Sequence, residues 1–98
     1  MAKIRHVSIF KLKDPADASK FKDGLDLLRQ RVPGFVRCAY GADAGLKAGN
    51  ADFGVSFDFA DEAAYRKWDT DAEHERIRRE LIFPLMSSVT RVQFELDE

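Results

Sequence analysis

Two histidines, His6 and His74, are the side chains of this sequence that titrate near neutral pH without help from their surroundings. Both fall at inward-looking positions. His6 sits in the stretch IRHVSIFKLK, where alternation puts Ile4, His6, Ser8, Phe10 and Leu12 on one face. Arg5, Val7, Ile9 and Lys11 take the other face. His74 shares a helical stripe with Ile77 and Leu81, at spacings of three and four. A histidine in either setting most simply packs its ring and bonds a backbone group. As a pair they suit two kinds of chemistry. One is a general base and a polar partner flanking a cavity. The other is metal ligation together with Asp71, for which the sequence offers no close His/Cys/Asp spacing. Tyr65 and Trp68, on the turns before His74, share a face and could wall such a cavity.

The elements that must hold these residues are legible along the chain. Asp14 followed by Pro15 reads as a helix start, an N-cap carboxylate and a proline at the first helical position. Ala18, Phe21, Leu25, Leu28 and Val32 make its apolar stripe, Gly24 weakens it, and Pro33-Gly34 ends it. FVRCAYGADAG reads as a second strand. ADFGVSFDF is the clearest alternation, with Phe53, Val55, Phe57 and Phe59 on one side. A second helical region opens at Asp61, pauses near DTD and resumes up to Pro84. Thr70 with Glu73 matches a capping box for the resumption. Within it, Glu75–Arg79 and Arg76–Glu80 are spaced as i,i+4 ion pairs. SSVTRVQFEL supplies a last strand, with Val92, Phe94 and Leu96 on one face and Arg91, Gln93 and Glu95 on the other.

The order is β-α-β-β-α-β, which predicts an α+β, ferredoxin-like sandwich. Helices cover one face of such a sheet. The other combines Val7 and Ile9 with Gly54 and Ser56, too apolar in its first strand to be left wet. A second sheet from another copy of the chain would cover it, so the pattern predicts a homodimer.

Composition narrows the function. The 98 residues fit a single domain spanning 1–98. With 16 Lys+Arg against 17 Asp+Glu there is no basic excess, which argues against nucleic acid as a partner. No apolar run approaches the roughly 20 residues needed to cross a bilayer, and the N-terminus lacks the apolar core of a signal peptide. The single cysteine, Cys38, excludes an internal disulfide and fits a reducing cytoplasm. It reads as a packed thiol rather than a nucleophile. The loop GADAGLKAGN lacks the GxxxxGK[ST] pattern and reads as a hairpin connection, not a phosphate cradle. No cofactor is expected.

IRHVSIFKLKD at the N-terminus, VPGF after the first helix, FDFADEAAYRKW, and His74 before LIFPL together resemble the stress-responsive A/B barrel (Dabb) family, from Ile4 to about Leu96. The resemblance implies a dimeric α+β barrel, with Val7 and Ile9 on the dimer face. Most members have no assigned reaction and are linked by name to plant stress responses. A few relatives are cofactor-free cyclases of plant polyketide biosynthesis, whose cavity lies between the sheet and helices of one subunit. By resemblance, His6 matches their first-strand histidine and His74 the helical histidine that acts as base. Their partner tyrosine is matched by Trp68, whose indole donates a hydrogen bond but does not exchange a proton. Asp71-Ala72 replaces a frequent His-Pro pair, Phe53 replaces a third-strand histidine, and Tyr65 matches a packing aromatic.

Three functions remain open from the sequence. The first is binding of a small hydrophobic or aromatic molecule between sheet and helices, in a cavity lined by His6, Trp68 and His74 with Tyr65 and Phe53. The second is cofactor-independent cyclisation or isomerisation of a keto or phenolic substrate. There His74 would abstract a proton and His6 or a backbone donor would steady the enolate, giving a pH–rate limb near neutrality. The third is a non-catalytic dimeric interaction module with a filled interior.

Overall fold

The computed structural model describes residues 2–97. Strand β1 (Ile4–Leu12) leads into a 3-10 turn at Pro15–Asp17 and then helix α1 (Ala18–Arg31). Asp14 is the cap the sequence predicts, its carboxylate accepting from the Ala16 N–H at 3.0 Å. The α-helix proper starts only at Ala18, because the first turn is wound tightly around Pro15. Gly34, with φ +116°, turns the chain after α1 in a conformation few other residues adopt.

Strands β2 (Arg37–Ala42) and β3 (Phe53–Phe59) form a long hairpin. Its loop is tied by Asp43, which accepts from the Gly45 N–H at 3.0 Å and from the Asn50 amide at 2.9 Å. Helix α2 (Glu62–Asp69) is capped by Asp61, and helix α3 (Ala72–Ile77) by Asp71, whose carboxylate accepts from the His74 N–H at 3.1 Å. Thr70 is therefore not the cap of a capping box. It closes α2 instead, its hydroxyl donating to the Arg66 carbonyl at 2.8 Å, while Asp71 holds the extended backbone an N-cap needs.

Past Ile77 the chain winds one π-helical turn, Arg78–Ile82, before a short 3-10 turn and strand β4 (Met86–Glu95). The wider turn inserts one residue into the helical register. Ile82 therefore takes the buried place that α spacing assigns to Leu81, and Leu81 is pushed outward. The Arg76–Glu80 pair forms at 3.4 Å, but Glu75–Arg79 is not among the ion pairs of the described residues. Arg79 lies beside Glu80 instead, at 3.8 Å.

The sheet is antiparallel in the order β2-β3-β1-β4, with β1 and β3 central. This is the α+β, ferredoxin-like architecture. Register sets which side chains share a face. Cys38, Phe57, His6 and Gln93 form one row facing the helices, and Tyr40, Val55, Ser8 and Arg91 form the next. The four β3 residues Phe53, Val55, Phe57 and Phe59 are all buried beneath the helices. The opposite face carries Val7, Ile9, Val92 and Phe94, of which Ile9 is 47%, Val92 53% and Phe94 43% exposed. One buried carboxylate, Asp58, sits on that face and takes both nitrogens of an Arg5 fork at 2.7 and 2.9 Å. Those bonds hold its carboxyl below the usual carboxylate range. Among the described residues, no helix is long and apolar enough to cross a membrane.

Candidate functional site

Between the helix-facing side of the sheet and the helices lies a cavity of about 300 Å³. Its floor is built from β1, β3 and β4 through His6, Ser8, Phe57, Arg91 and Gln93. Its roof comes from α1, α2, α3 and the π turn through Leu28, Tyr65, Trp68, His74 and Arg78. Four of the five residues singled out in the sequence, His6, Tyr65, Trp68 and His74, thus meet at one place. Phe53 is not among the lining residues. It packs edge-to-face on Phe21, with ring centroids 4.9 Å apart, in the solid core under α1.

His6 is fully engaged. The Gln93 amide donates to its Nδ1 at 2.8 Å, which places the ring proton on Nε2, and Nε2–H donates to the Ser8 hydroxyl at 3.0 Å. The Ser8 hydroxyl hydrogen is left available to a group in the cavity. His6 therefore orients a donor rather than offering a lone pair itself. Burial pulls its pKa below the ordinary histidine value.

His74 is arranged the other way. Its Nδ1–H donates to the Trp68 carbonyl at 2.7 Å, so the lone pair is on Nε2, which has no partner among the described residues. The cap by Asp71 fixes the same residue through its backbone N–H, so the ring is held at two points. Burial moves the His74 pKa down to about 4, although the Trp68 carbonyl, Asp69 and Asp71 favour the cation. At neutral pH it is a neutral acceptor. A pH–rate limb governed by this group in the free protein would lie in acid, not near neutrality as its ordinary pKa suggests.

Trp68 joins the two histidines, its ring centroid 5.7 Å from His6 and 4.1 Å from His74. Its indole N–H is a buried donor without a partner among the described residues. The hydroxyl of Tyr65, whose ring lies 5.5 Å from that of His6, is pushed up in pKa by burial first and by Asp69 second. Cys38 faces the helices beside Phe57, and burial raises its thiol pKa, as suits a packed thiol. No group of three His, Cys, Asp or Glu side chains among the described residues is placed to hold a metal ion.

Sequence reasoning passed over Arg78, Arg91, Gln93 and Asp69. Arg91 and Gln93 carried a signal, the polar side of the last strand, but its direction depends on pairing with β1. Val92 pairs with Val7 on the open face, so its neighbours point into the cavity.

Comparisons agree with this architecture. A dimeric ferredoxin-like protein from Thermobifida fusca is 32% identical, with a TM-score of 0.85 over 97% of this chain and 92% of that one. A Dabb family protein from Mesorhizobium loti is 23% identical, with a TM-score of 0.77 over 96% of each chain. A hydroxynitrile lyase from Passiflora edulis shares the fold at 14% identity, with a TM-score of 0.82 over 99% of this chain and 95% of that one. No curated protein sequence is a significant match. The family model for the stress-responsive A/B barrel domain matches residues 4–96, and the chain belongs to that family, Dabb.

Proposed function

We infer that this chain acts as a homodimer that binds one small hydrophobic or aromatic molecule in the cavity between sheet and helices. The cavity itself is the observation that carries the reading. Its apolar walls include Phe57, Leu25, Leu28, Tyr65 and Trp68, and polar atoms converge on it from Ser8, His74, Arg91, Gln93 and the Arg78–Asp69 pair. At about 300 Å³ it lies at the small end of ligand pockets, which suits a molecule of one or two rings rather than a nucleotide. A filled interaction module would have closed this space with side chains. The homodimer is supported by the apolar open face of the sheet and by the dimeric state of the Thermobifida fusca relative. A reducing cytoplasm suits the single packed thiol.

One observation favours a second reading, cofactor-independent proton transfer on a keto or phenolic substrate. His74 Nε2 is an unpartnered acceptor held by a bond at the far nitrogen, which is the arrangement of a general base. Two relatives in fold are described as a hydroxynitrile lyase and a cofactor-independent oxygenase, so the scaffold accommodates chemistry elsewhere.

A thermal-shift screen of phenols, β-diketones and medium-chain acids, run on wild type and His74→Ala, tests the binding reading. A ligand at 100 times its Kd stabilises the folded state by about 2.7 kcal/mol. At least one class should raise the Tm of wild type and do so less in the variant. Silence across all classes rejects a small-molecule site of this kind. Turnover of any hit that survives His74→Ala removes the base.

A further inference from the structure

Two guanidinium groups and one carboxylate line the cavity: Arg78, Arg91 and Asp69. Arg78 and Asp69 neutralise one another. Arg78 Nη1 donates to the Asp69 carboxylate at 3.0 Å, and Nη2 donates to the Asp69 carbonyl at 2.7 Å. With both histidines neutral at neutral pH, one formal charge is left over, that of Arg91. Arg91 makes no hydrogen bond or ion pair among the described residues. It stands on the helix-facing side of β4, directly opposite Ser8. The Ser8 hydroxyl already accepts from His6 and so turns its own hydrogen toward the same space. A guanidinium and a hydroxyl hydrogen thus face the same cavity, whose other polar groups include the two neutral histidines, Gln93 and the mutually neutralised Arg78–Asp69 pair. An anion there gains a charge-assisted bond, while a neutral group of the same shape gains much less.

We propose that the cavity selects a small organic carboxylate, its acid group at Arg91 and Ser8 and its apolar or aromatic body against Trp68, Phe57 and Leu28. This rests on the cavity being a ligand site and adds the charge and orientation of the ligand. Arg91 is the specificity-determining residue, and His6 is a positioning residue that acts through Ser8. The His74 lone pair then faces the body of the ligand rather than its acid group.

Matched acid and amide probes separate the two layers of this reading. 4-Ethylbenzoate and 4-ethylbenzamide have nearly the same shape and differ in charge, and octanoate and octanamide do the same for an aliphatic body. Their Kd values are measured by calorimetry on wild type, Arg91→Gln and Arg91→Lys. Trp68, the single tryptophan of the chain, reports occupancy through its fluorescence. Wild type should bind at least one acid about tenfold more tightly than its amide. Arg91→Gln should erase that preference by weakening the acid alone, and Arg91→Lys should restore part of it. The exposed position of Arg91 makes loss of folding a minor concern, and unchanged melting curves verify this. Equal binding of acid and amide by wild type overturns carboxylate selection while the ligand site stands. A preference that survives in Arg91→Gln assigns the charge to another group and overturns the role of Arg91. If no probe binds, both layers fall. If only aggregation changes in Arg91→Gln, the inward charge merely guards an edge strand, and the proposal fails.

Discussion

His6 and His74 are chemically the same side chain with opposite assignments, made by which nitrogen the protein occupies. At His6 both nitrogens are engaged, so the ring transmits orientation from Gln93 to Ser8. At His74 one nitrogen is spent on the Trp68 carbonyl and the other is kept open. That choice has a thermodynamic consequence. The folded-state pKa of His74 is about 4, against an ordinary value of 6.5, because burial strips water from the imidazolium. Between those values the unfolded chain binds a proton that the native chain refuses, so the stability contributed is full above about pH 6.5 and falls as pH drops toward 4. The loss saturates below that, at up to about 3 kcal/mol. His6 is shifted in the same direction and adds to the trend. Urea unfolding across this range should give a midpoint that falls with acid in wild type and falls less steeply in His74→Gln, each relative to its own neutral value. Carboxylate titration is common to both proteins and cancels in the comparison. Identical slopes would mean that His74 is not held neutral by burial.

The helical turn that carries Arg78 and Ile82 shows where an element departs from its sequence. The i→i+5 bonding of a π turn leaves no mark in residue type, so ordinary spacing assigns Leu81 to the core where Ile82 in fact lies. The edge strand β4 was equally ambiguous, since its polar side faces the cavity only because Val92 pairs with Val7. By contrast β3, with four aromatic or branched residues alternating toward the helices, and the Asp14 cap were legible, because each is set by local chemistry, although the turn after Asp14 is 3-10 and the α-helix begins at Ala18. Gly24 links these two cases. The sequence marks it as a weak point in α1, and the structure supplies the reason. A Cβ built there would lie 2.9 Å from Ile82 Cδ1 and 3.3 Å from Leu81 Cβ, so an alanine would turn the Ile82 side-chain end aside and push the π turn back by a few tenths of an ångström. An alanine in a helix interior usually gains about 1 kcal/mol over glycine. In Gly24→Ala that gain should be lost to the contact, leaving the Tm unchanged or lower. Ile82 lines the cavity, so its displacement should also weaken any ligand found in the thermal-shift screen. A Tm raised by the full helix-propensity gain, with ligand affinity intact, would show that the approach has slack.

At the scale of the whole molecule, the surface is larger than the mass warrants. A monomeric protein of 11.1 kDa is expected to expose about 5,700 Å², whereas this chain exposes 6277 Å². The excess, about 600 Å², is smaller than the roughly 800 Å² one partner contributes to a standard interface, so its location says more than its size. Its distribution is uneven in a telling way. On the open face, β1 and β4 carry the bulky side chains Val7, Ile9, Val92 and Phe94, while β2 and β3 carry Ala39, Gly41, Gly54 and Ser56. A twofold axis normal to the sheet plane sets two copies side by side and cannot stack their open faces. An axis lying between two facing sheets can set the bulky half of each over the small half of the other, which is the self-complementarity a homodimer requires. The Arg5–Asp58 pair lies on the same face and would be drawn further from water, where its two-bond geometry keeps the charge satisfied. Wild type should therefore give a dimer mass by light scattering at micromolar concentration, and its Tm should rise with protein concentration by mass action. Val92→Glu places a carboxylate in the middle of the bulky half without touching the cavity side, so it should yield a monomer whose lower Tm no longer depends on concentration. A wild-type monomer at micromolar concentration would leave the apolar face without an occupant and remove the homodimer. A Val92→Glu dimer as stable as wild type would move the interface to another surface.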